Sequence, residues 1–321
     1  SYALNKLKKY KKSIEICRTG YEINSNNKFL NSSYAWAGYM HYLNNNDGED
    51  IDDVEKKAEA ILTILENVPD NTFTFNKTIL KVMTLSANNN EWHKVLKWVK
   101  KLSANQLSSK EILIKGKKVP SEKLSYYYKY TKALEKTENY ADCLDVCKDA
   151  LYEFSHDFWL RWRKAICLMH SDEIEDSIAI FEELLLEKSD WFLLSAIAEA
   201  YYKIENFNKA LEFAIKSCLE ASKSPTVGMT ANAFLTTAKI LHKLQDNNNA
   251  KKHVELTYLL RIEEGWDKIP AKLAQVAKDL DISLDDIDGE SSKLIEELKK
   301  YWNDKLNDFV KNLPVYRGKI K

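Results

Sequence analysis

The sequence predicts an all-α protein built from pairs of helices that repeat along the chain. Only 8 glycines and 5 prolines occur in 321 residues, too few for the many turns of a sheet protein. Amphipathic segments instead follow one another, and a small residue recurs at Cys143, Ser177 and Ala210, with spacings of 34 and 33 residues. Because one amphipathic helix cannot bury its apolar stripe alone, units of this length are expected to stack.

The three best-preserved units each consist of two helical segments. The second helices read "NYADCLDVCKDALYEF", "EIEDSIAIFEELLLEK" and "NFNKALEFAIKSCLEA". The first helices precede them and read "LSYYYKYTKALEKT", "FWLRWRKAICLMH" and "WFLLSAIAEAYYKI". A small residue early in the second helix allows the two helices of a pair to approach closely.

Weaker copies of the same unit extend the array in both directions. The small or β-branched position recurs at Ser13, Ala58, Val95 and Ala250. The spacings around these positions are 45, 37, 48 and 40 residues, which indicates insertions near 44–53 and 108–123. We therefore expect about six or seven helix pairs over residues 1–265, with the first pair starting in mid-repeat.

The chain changes character after this array. Residues 266–313 are expected to form a C-terminal helical cap, in which "SSKLIEELKKYWNDKLNDFVKNL" reads as one long capping helix that ends at Pro314. The last residues, 314–321, alternate like a β-strand, and we expect them to begin a truncated downstream β domain.

Composition limits the classes of function. The 48 basic side chains balance the 48 acidic ones, which argues against general electrostatic capture of nucleic acid but leaves room for a local basic face. No apolar run reaches the roughly 18 residues that a membrane helix needs. Five scattered cysteines are typical of a reducing compartment, so we expect a cytoplasmic protein with free thiols.

Catalytic and metal-binding patterns are not found in the sequence. It contains no Gly-rich phosphate loop, no G-x-S-x-G elbow and no H-E-x-x-H motif. Cys143 and Cys147 are four residues apart with His156 nearby, but a metal site needs a fourth ligand, so buried core thiols are the expectation. We predict no catalytic residues, no cofactor and no metal.

One segment carries a family resemblance. In "WFLLSAIAEAYYKIENFNKALEFA", residues Ile197, Ala198, Tyr201, Phe207 and Ala210 match the pattern of the tetratricopeptide repeat, although the family's Trp and Pro positions are often missing here. The resemblance implies a right-handed superhelical solenoid of antiparallel helix pairs. It also implies a non-catalytic scaffold whose concave groove, lined by the first helices, binds a protein or peptide segment.

A second resemblance is more specific. The stretches "GKKVPSEKLSYYYKYTKALEKTENYADCLDVC", "FWLRWRKA", "EWHKVLKWV" and "RIEEGWDKIP" are similar to the repeat region of prokaryotic proteins that join tetratricopeptide repeats to cold-shock or S1-like barrels. Some of those proteins belong to TOTE-type conflict systems. This resemblance implies a role in prokaryotic defence, with nucleic-acid binding chiefly in downstream barrels.

The candidate partner-binding residues lie on one edge of successive first helices. In "DFWLRWRKAICLM", one apolar arc is formed by Phe158, Trp162, Ala165, Ile166 and Met169. The arc predicts that Trp162 is core, whereas Trp159 is at its edge beneath Arg163. The same off-stripe edge in the neighbouring units completes the set: Tyr128, Lys132, Trp159, Arg163, His170, Phe192, Tyr202, Lys203, Lys239 and Lys243.

Three interpretations of this edge remain open. It lines a groove for a protein or peptide segment, or its lysines, arginine and aromatic rings bind nucleic acid. Alternatively, each aromatic residue simply packs against the next repeat, which is common for off-stripe rings.

Overall fold

A computed structural model describes residues 1–44, 50–114, 116–266 and 268–311, without the side chains of residues 112, 114 and 310. In this part of the chain, seven consecutive helix pairs are followed by two further helices. The pairs are α1 (Tyr2–Lys6) and α2 (Tyr10–Ile23), α3 (Lys28–Gly38) and α4 (Ile51–Leu65), α5 (Thr72–Asn88) and α6 (Trp92–Val99), α7 (Glu122–Lys136) and α8 (Tyr140–Glu153), α9 (Phe158–His170) and α10 (Ile174–Glu187), α11 (Trp191–Lys203) and α12 (Phe207–Ala221), and α13 (Ala231–Lys243) and α14 (Asn247–Glu263). The last two helices are α15 (Ala271–Asp279) and α16 (Ser291–Lys311).

The predicted all-α class built from helix pairs is confirmed. Every recurring small position lies in the second helix of its pair, and every one is completely buried: Ser13, Ala58, Val95, Cys143, Ser177, Ala210 and Ala250 are all 0 % exposed. Close packing leaves no room for a longer side chain at such positions. The repeat found in the sequence is therefore a packing repeat.

A backbone feature accompanies the small residue. Six pairs are joined by a turn with one residue at a φ between 57° and 63°, and this residue always lies five positions before the small one. These turn residues are Lys8, Asn90, Glu138, Asp172, Glu205 and Gln245. The backbone N–H of the residue after the turn residue donates to the carbonyl five positions earlier. For example, the Asn206 N–H donates to the Tyr201 carbonyl at 3.0 Å. This is the hydrogen bond of a Schellman helix end.

None of these six turn residues is a glycine, although glycine adopts a left-handed φ without a Cβ penalty. We expect Glu138→Gly to raise the unfolding free energy by about 0.5–1 kcal/mol, since the αL cost for an L-residue exceeds the entropy that glycine adds to the unfolded chain. Urea unfolding measures the change. As a control, Glu138→Val should destabilise, because a β-branched side chain tolerates this φ poorly; a lower midpoint for the glycine variant would contradict the expectation.

The chain forms two compact units, one comprising residues 1–167 and the other beginning at Leu168. The core of the first unit includes Trp98, Ile79 and Met83, all fully buried. In the second unit, α15 packs on α13 and α14, while α16 packs on α12 and α14 and buries Trp302 completely. The long C-terminal helix predicted from the sequence thus covers the last two pairs.

The insertion predicted near residues 108–123 contains a feature that sequence analysis did not anticipate. Strands β1 (Ile112–Ile114) and β2 (Lys117–Val119) pair as a short antiparallel hairpin, with Gly116 at a φ of +77°. Half of the other insertion, residues 45–49 of 44–53, and the whole proposed β segment 314–321 lie outside the described residues. The domain boundary at residue 265 stays a prediction.

Candidate partner-binding site

All ten predicted site residues lie on first helices, namely α7, α9, α11 and α13. In the first unit they make contacts within the protein. The Tyr128 hydroxyl donates to Asp157 Oδ2 at 2.5 Å, and burial together with this bond raises the pKa of Tyr128. The Lys132 ammonium lies 5.2 Å from the centre of the Trp92 ring, and partial burial, Arg163 and Lys136 lower the pKa of Lys132.

The buried face of helix α9 overlaps the predicted arc only in part. Ala165 and Met169 are buried as predicted, whereas Trp162 is only half-buried. Leu160 and Cys167, outside the predicted arc, are fully buried. The buried arc is rotated because small and aliphatic side chains allow close helix packing, while the large indole spreads to the margin. Trp162 was therefore wrongly assigned to the core, but Trp159 is 46 % exposed and lies at the edge, as expected.

Arg163 has a structural role in this unit. Its guanidinium forms an ion pair with Glu135 of α7, and both side chains are only 14 % exposed. A mostly buried, paired guanidinium is a poor candidate for binding a mobile partner, since losing either charge leaves the other unpaired. Within the first unit, Trp159 and Lys132 are thus the predicted residues that are most open to solvent.

In the second unit, three predicted residues meet in one pocket of about 350 Å³. Tyr202 of α11 forms one wall, and the Lys239 ammonium of α13 lies 5.4 Å from the centre of its ring. Lys243 follows Lys239 by four residues and therefore lies on the same helix face. Burial and the nearby carboxylate of Asp279 raise the pKa of Tyr202.

The opposite wall of this pocket comes from α15, which sequence analysis had assigned to the cap. Lys272, Gln275 and Asp279 line it, with Val276 between them and His242 on the α13 side. The signal was present in "AKLAQVAKDL", where Leu273, Val276 and Ala277 form a buried face and the polar residues recur on the other side. Its docking position on α13 and α14 could not be read from the sequence.

The pocket carries an excess of positive charge. Three lysines line it against one carboxylate, Asp279, which accepts a hydrogen bond from Gln275 at 2.6 Å. Within the described residues, no carboxylate is at ion-pair distance from Lys239, Lys243 or Lys272. An anionic group entering the pocket would therefore meet three ammonium groups beside an aromatic ring.

The other predicted residues of the second unit do not line this pocket. The Lys203 ammonium donates to the carbonyl of Met169 at 2.8 Å, which ties α11 to the end of α9. The Phe192 ring is approached by the Lys188 ammonium at 5.7 Å. His170 is exposed at the last position of α9.

The thiols of the first unit are core groups. Cys143, Cys147 and Cys167 are fully buried. A hydrogen bond with Cys147, together with burial, raises the pKa of Cys143, and a hydrogen bond with Cys143, together with burial, raises the pKa of Cys167. Among the described residues, no cluster of three metal-ligating side chains is found. No helix of the described ranges is long and apolar enough to span a membrane.

Comparison with known families finds one match. Residues 158–300 match the model of a family described as a domain of unknown function (DUF7017), which is less than half of the chain and includes the pocket of the second unit. A comparison with the curated proteins finds no match.

Several solved structures are similar to this chain, and two of the three named here are described as tetratricopeptide repeat proteins. One is a tetratricopeptide repeat protein from Parabacteroides merdae ATCC 43184, with a TM-score of 0.48, 14% identity, and coverage of 87% of this chain and 95% of that chain. Another is YrrB, described as a TPR protein with an unusual peptide-binding site (TM-score 0.41, 13% identity, 64% and 91% coverage). A third is the APC/C hetero-tetramer Cut9-Hcn1 (TM-score 0.48, 10% identity, 87% and 48% coverage). Because all three TM-scores are below 0.5, the assignment of the fold class depends on the helix pairs and their spacing, not on these structures.

Proposed function

We propose that the chain is a non-catalytic helical-repeat scaffold that holds a protein or peptide segment with an acidic side chain in the pocket of the second unit. The observation that carries the proposal is the convergence of Lys239, Lys243 and Lys272 beside the Tyr202 ring, without a bound carboxylate among the described residues. A volume of about 350 Å³ accommodates one or two side chains of a partner. The charge and the ring together favour an acidic segment with a neighbouring apolar residue.

The biological setting is part of the same proposal. The resemblance of the sequence to the repeat region of conflict-system proteins is the basis for placing such a scaffold in prokaryotic defence. In that setting the repeats recruit a protein partner.

The pocket can be tested with a fluorescein-labelled peptide of 12 residues that contains alternating Glu and Tyr. We expect Lys239→Gln/Lys243→Gln to weaken binding at least ten-fold, which corresponds to about 1.4 kcal/mol and is a modest loss for two charge-assisted contacts. Tyr202→Ala should weaken binding, whereas Tyr202→Phe should bind like the parent because it keeps the ring. Fluorescence anisotropy measures the affinities.

A matched control separates the pocket from general charge. Lys268→Gln/Lys278→Gln also removes two positive charges, but from exposed positions that do not line the pocket. Equal weakening by both double variants would reject the pocket as the site. Tighter binding of a labelled oligonucleotide than of the peptide, with loss in the Lys239→Gln/Lys243→Gln variant, would instead assign this edge to nucleic acid.

A further inference from the structure

The first 44 residues carry a local positive charge that the neutral composition of the whole chain conceals. Seven lysine and arginine side chains in this segment oppose two glutamates, whereas the full chain has 48 of each sign. Five of the seven are the lysines of "KLKKYKK", residues 6–12. This segment is therefore the strongest candidate for binding a polyanion.

The structure concentrates these lysines at one turn. Lys8 and Lys9 connect α1 to α2, and Lys11 and Lys12 lie in the first turn of α2. All four are exposed and, with His41, line an open depression of about 660 Å³ in which Glu15 is the one acidic lining residue. Within the described ranges, none of the four lysines forms an ion pair. We refer to Lys8, Lys9, Lys11 and Lys12 as the lysine turn.

This arrangement is unfavourable for the helix that carries it. The N-terminal end of a helix is the positive end of its dipole and favours acidic side chains. The first turn of α2 contains no acidic residue, whereas α4 has Asp52 and Asp53 at the same place. Local choices that oppose folding are expected where a surface serves function.

An aromatic pocket lies next to the lysine turn along the chain. It has a volume of about 370 Å³, and three of its rings are unusually open: Tyr2 is 54 % exposed, Phe29 68 % and Phe73 58 %. Lys6, two residues before Lys8, lies 5.4 Å above the Tyr2 ring. Inside the pocket, Asn5 Nδ2 donates to the Ser33 carbonyl at 2.9 Å, while Asn5 Oδ1 is buried and has no donor among the described residues.

We propose that the lysine turn and this aromatic pocket together bind single-stranded nucleic acid. The four ammonium groups of the turn contact backbone phosphates, and the exposed rings stack on bases, a combination that single-strand binders use. A duplex hides its base faces, and a poly-Glu segment has no rings for the pocket, so a single strand fits both features.

Fluorescence anisotropy with fluorescein-labelled oligo(dT) of 20 nucleotides tests the proposal on the full chain. We expect a dissociation constant on the order of 10 µM at 50 mM salt, and a slope of log K against log salt of about −3, since four single-strand phosphate contacts contribute about −0.7 each. Changing all four lysines of the turn to Gln should weaken binding at least ten-fold and flatten the slope. Phe29→Ala/Phe73→Ala should weaken binding about ten-fold with the slope unchanged.

The matched control also removes four exposed lysines, Lys100, Lys148, Lys278 and Lys300, and should bind oligo(dT) like the parent. Thermal melts check folding, and we expect the lysine-turn variant to melt at the same temperature as the parent or higher.

Equal loss of oligo(dT) affinity in the control, or tighter binding of a 20-base-pair duplex than of the single strand, would overturn the proposal. So would preferential binding of a poly-Glu peptide at the lysine turn. The pocket of the second unit is tested with different residues, so either proposal can fail alone.

Discussion

Trp302→Ala is expected to be among the most destabilising single substitutions in the second unit, lowering its unfolding free energy by about 3–5 kcal/mol. The Trp302 side chain is fully buried, and its ring stacks on Phe234 with centroids 5.7 Å apart and planes at 15°. Its indole N–H also donates to His253 Nε2 at 2.9 Å. The substitution removes the ring that fastens α16 to the last helix pairs, and urea unfolding followed by circular dichroism measures the loss.

Trp302→Phe separates packing from hydrogen bonding. Phenylalanine keeps most of the stack but leaves His253 Nε2 buried without a donor, which is expected to cost about 1–3 kcal/mol. An exposed residue of the same helix, Lys300→Ala, is the control and should change stability by less than about 0.5 kcal/mol. If Trp302→Ala melts like this control, α16 does not depend on the buried indole.

The second large effect is on the pH dependence of stability. His253 is fully buried, its Nδ1 lies 2.7 Å from the Asn249 carbonyl, and its Nε2 accepts from Trp302, so the ring is neutral with the proton on Nδ1. Burial lowers the pKa of His253 from 6.5 to about 4, despite the opposing effects of the Asn249 carbonyl and Asp246. The unfolded chain therefore binds a proton more readily than the folded protein between these two pH values.

The contribution of His253 to stability is fully present above pH 6.5 and is lost as the pH falls to about 4, because protonation favours the unfolded chain over that range. The loss is about 3 kcal/mol, from a difference of about 2.5 units at 1.36 kcal/mol each. Urea unfolding at several pH values measures it. His253→Gln can still accept from Trp302 but cannot titrate, so its stability should vary less between pH 6.5 and 4; parallel profiles would contradict the assignment.

Local features of this protein were predictable from the sequence. The small residues, such as Cys143 and Ala210, marked the second helix of each pair because they recur with the helix-pair length. The grouping of Tyr202, Lys239 and Lys243 could also be predicted from the sequence, since stacking brings corresponding positions on consecutive first helices together. Left-handed turn residues such as Lys8 and Gln245 were missed, because these residue types carry no compositional signal of the kind that glycine provides.

Misassignments occurred where helix rotation or docking decides the outcome. The apolar arc of α9 correctly placed Ala165 and Met169 in the core but wrongly placed Trp162 there. The helix also buries Leu160 and Cys167, and Arg163 is directed to Glu135. Amphipathic periodicity measures where apolar residues cluster on one helix. It does not measure which side of that cluster two neighbouring helices cover.

The all-α class, the order of the helix pairs and the buried small positions could be predicted before folding was considered, because helix formation, turn geometry and the periodic apolar stripe depend on residues close together in the chain. Which distant side chains meet is visible only in the folded protein. Lys272 of α15 completes a pocket begun by Lys239, and Trp302 reaches His253, 49 residues earlier. Such pairings depend on the crossing and register of packed helices, and these follow from the shape complementarity of whole surfaces, which no single stretch of sequence records.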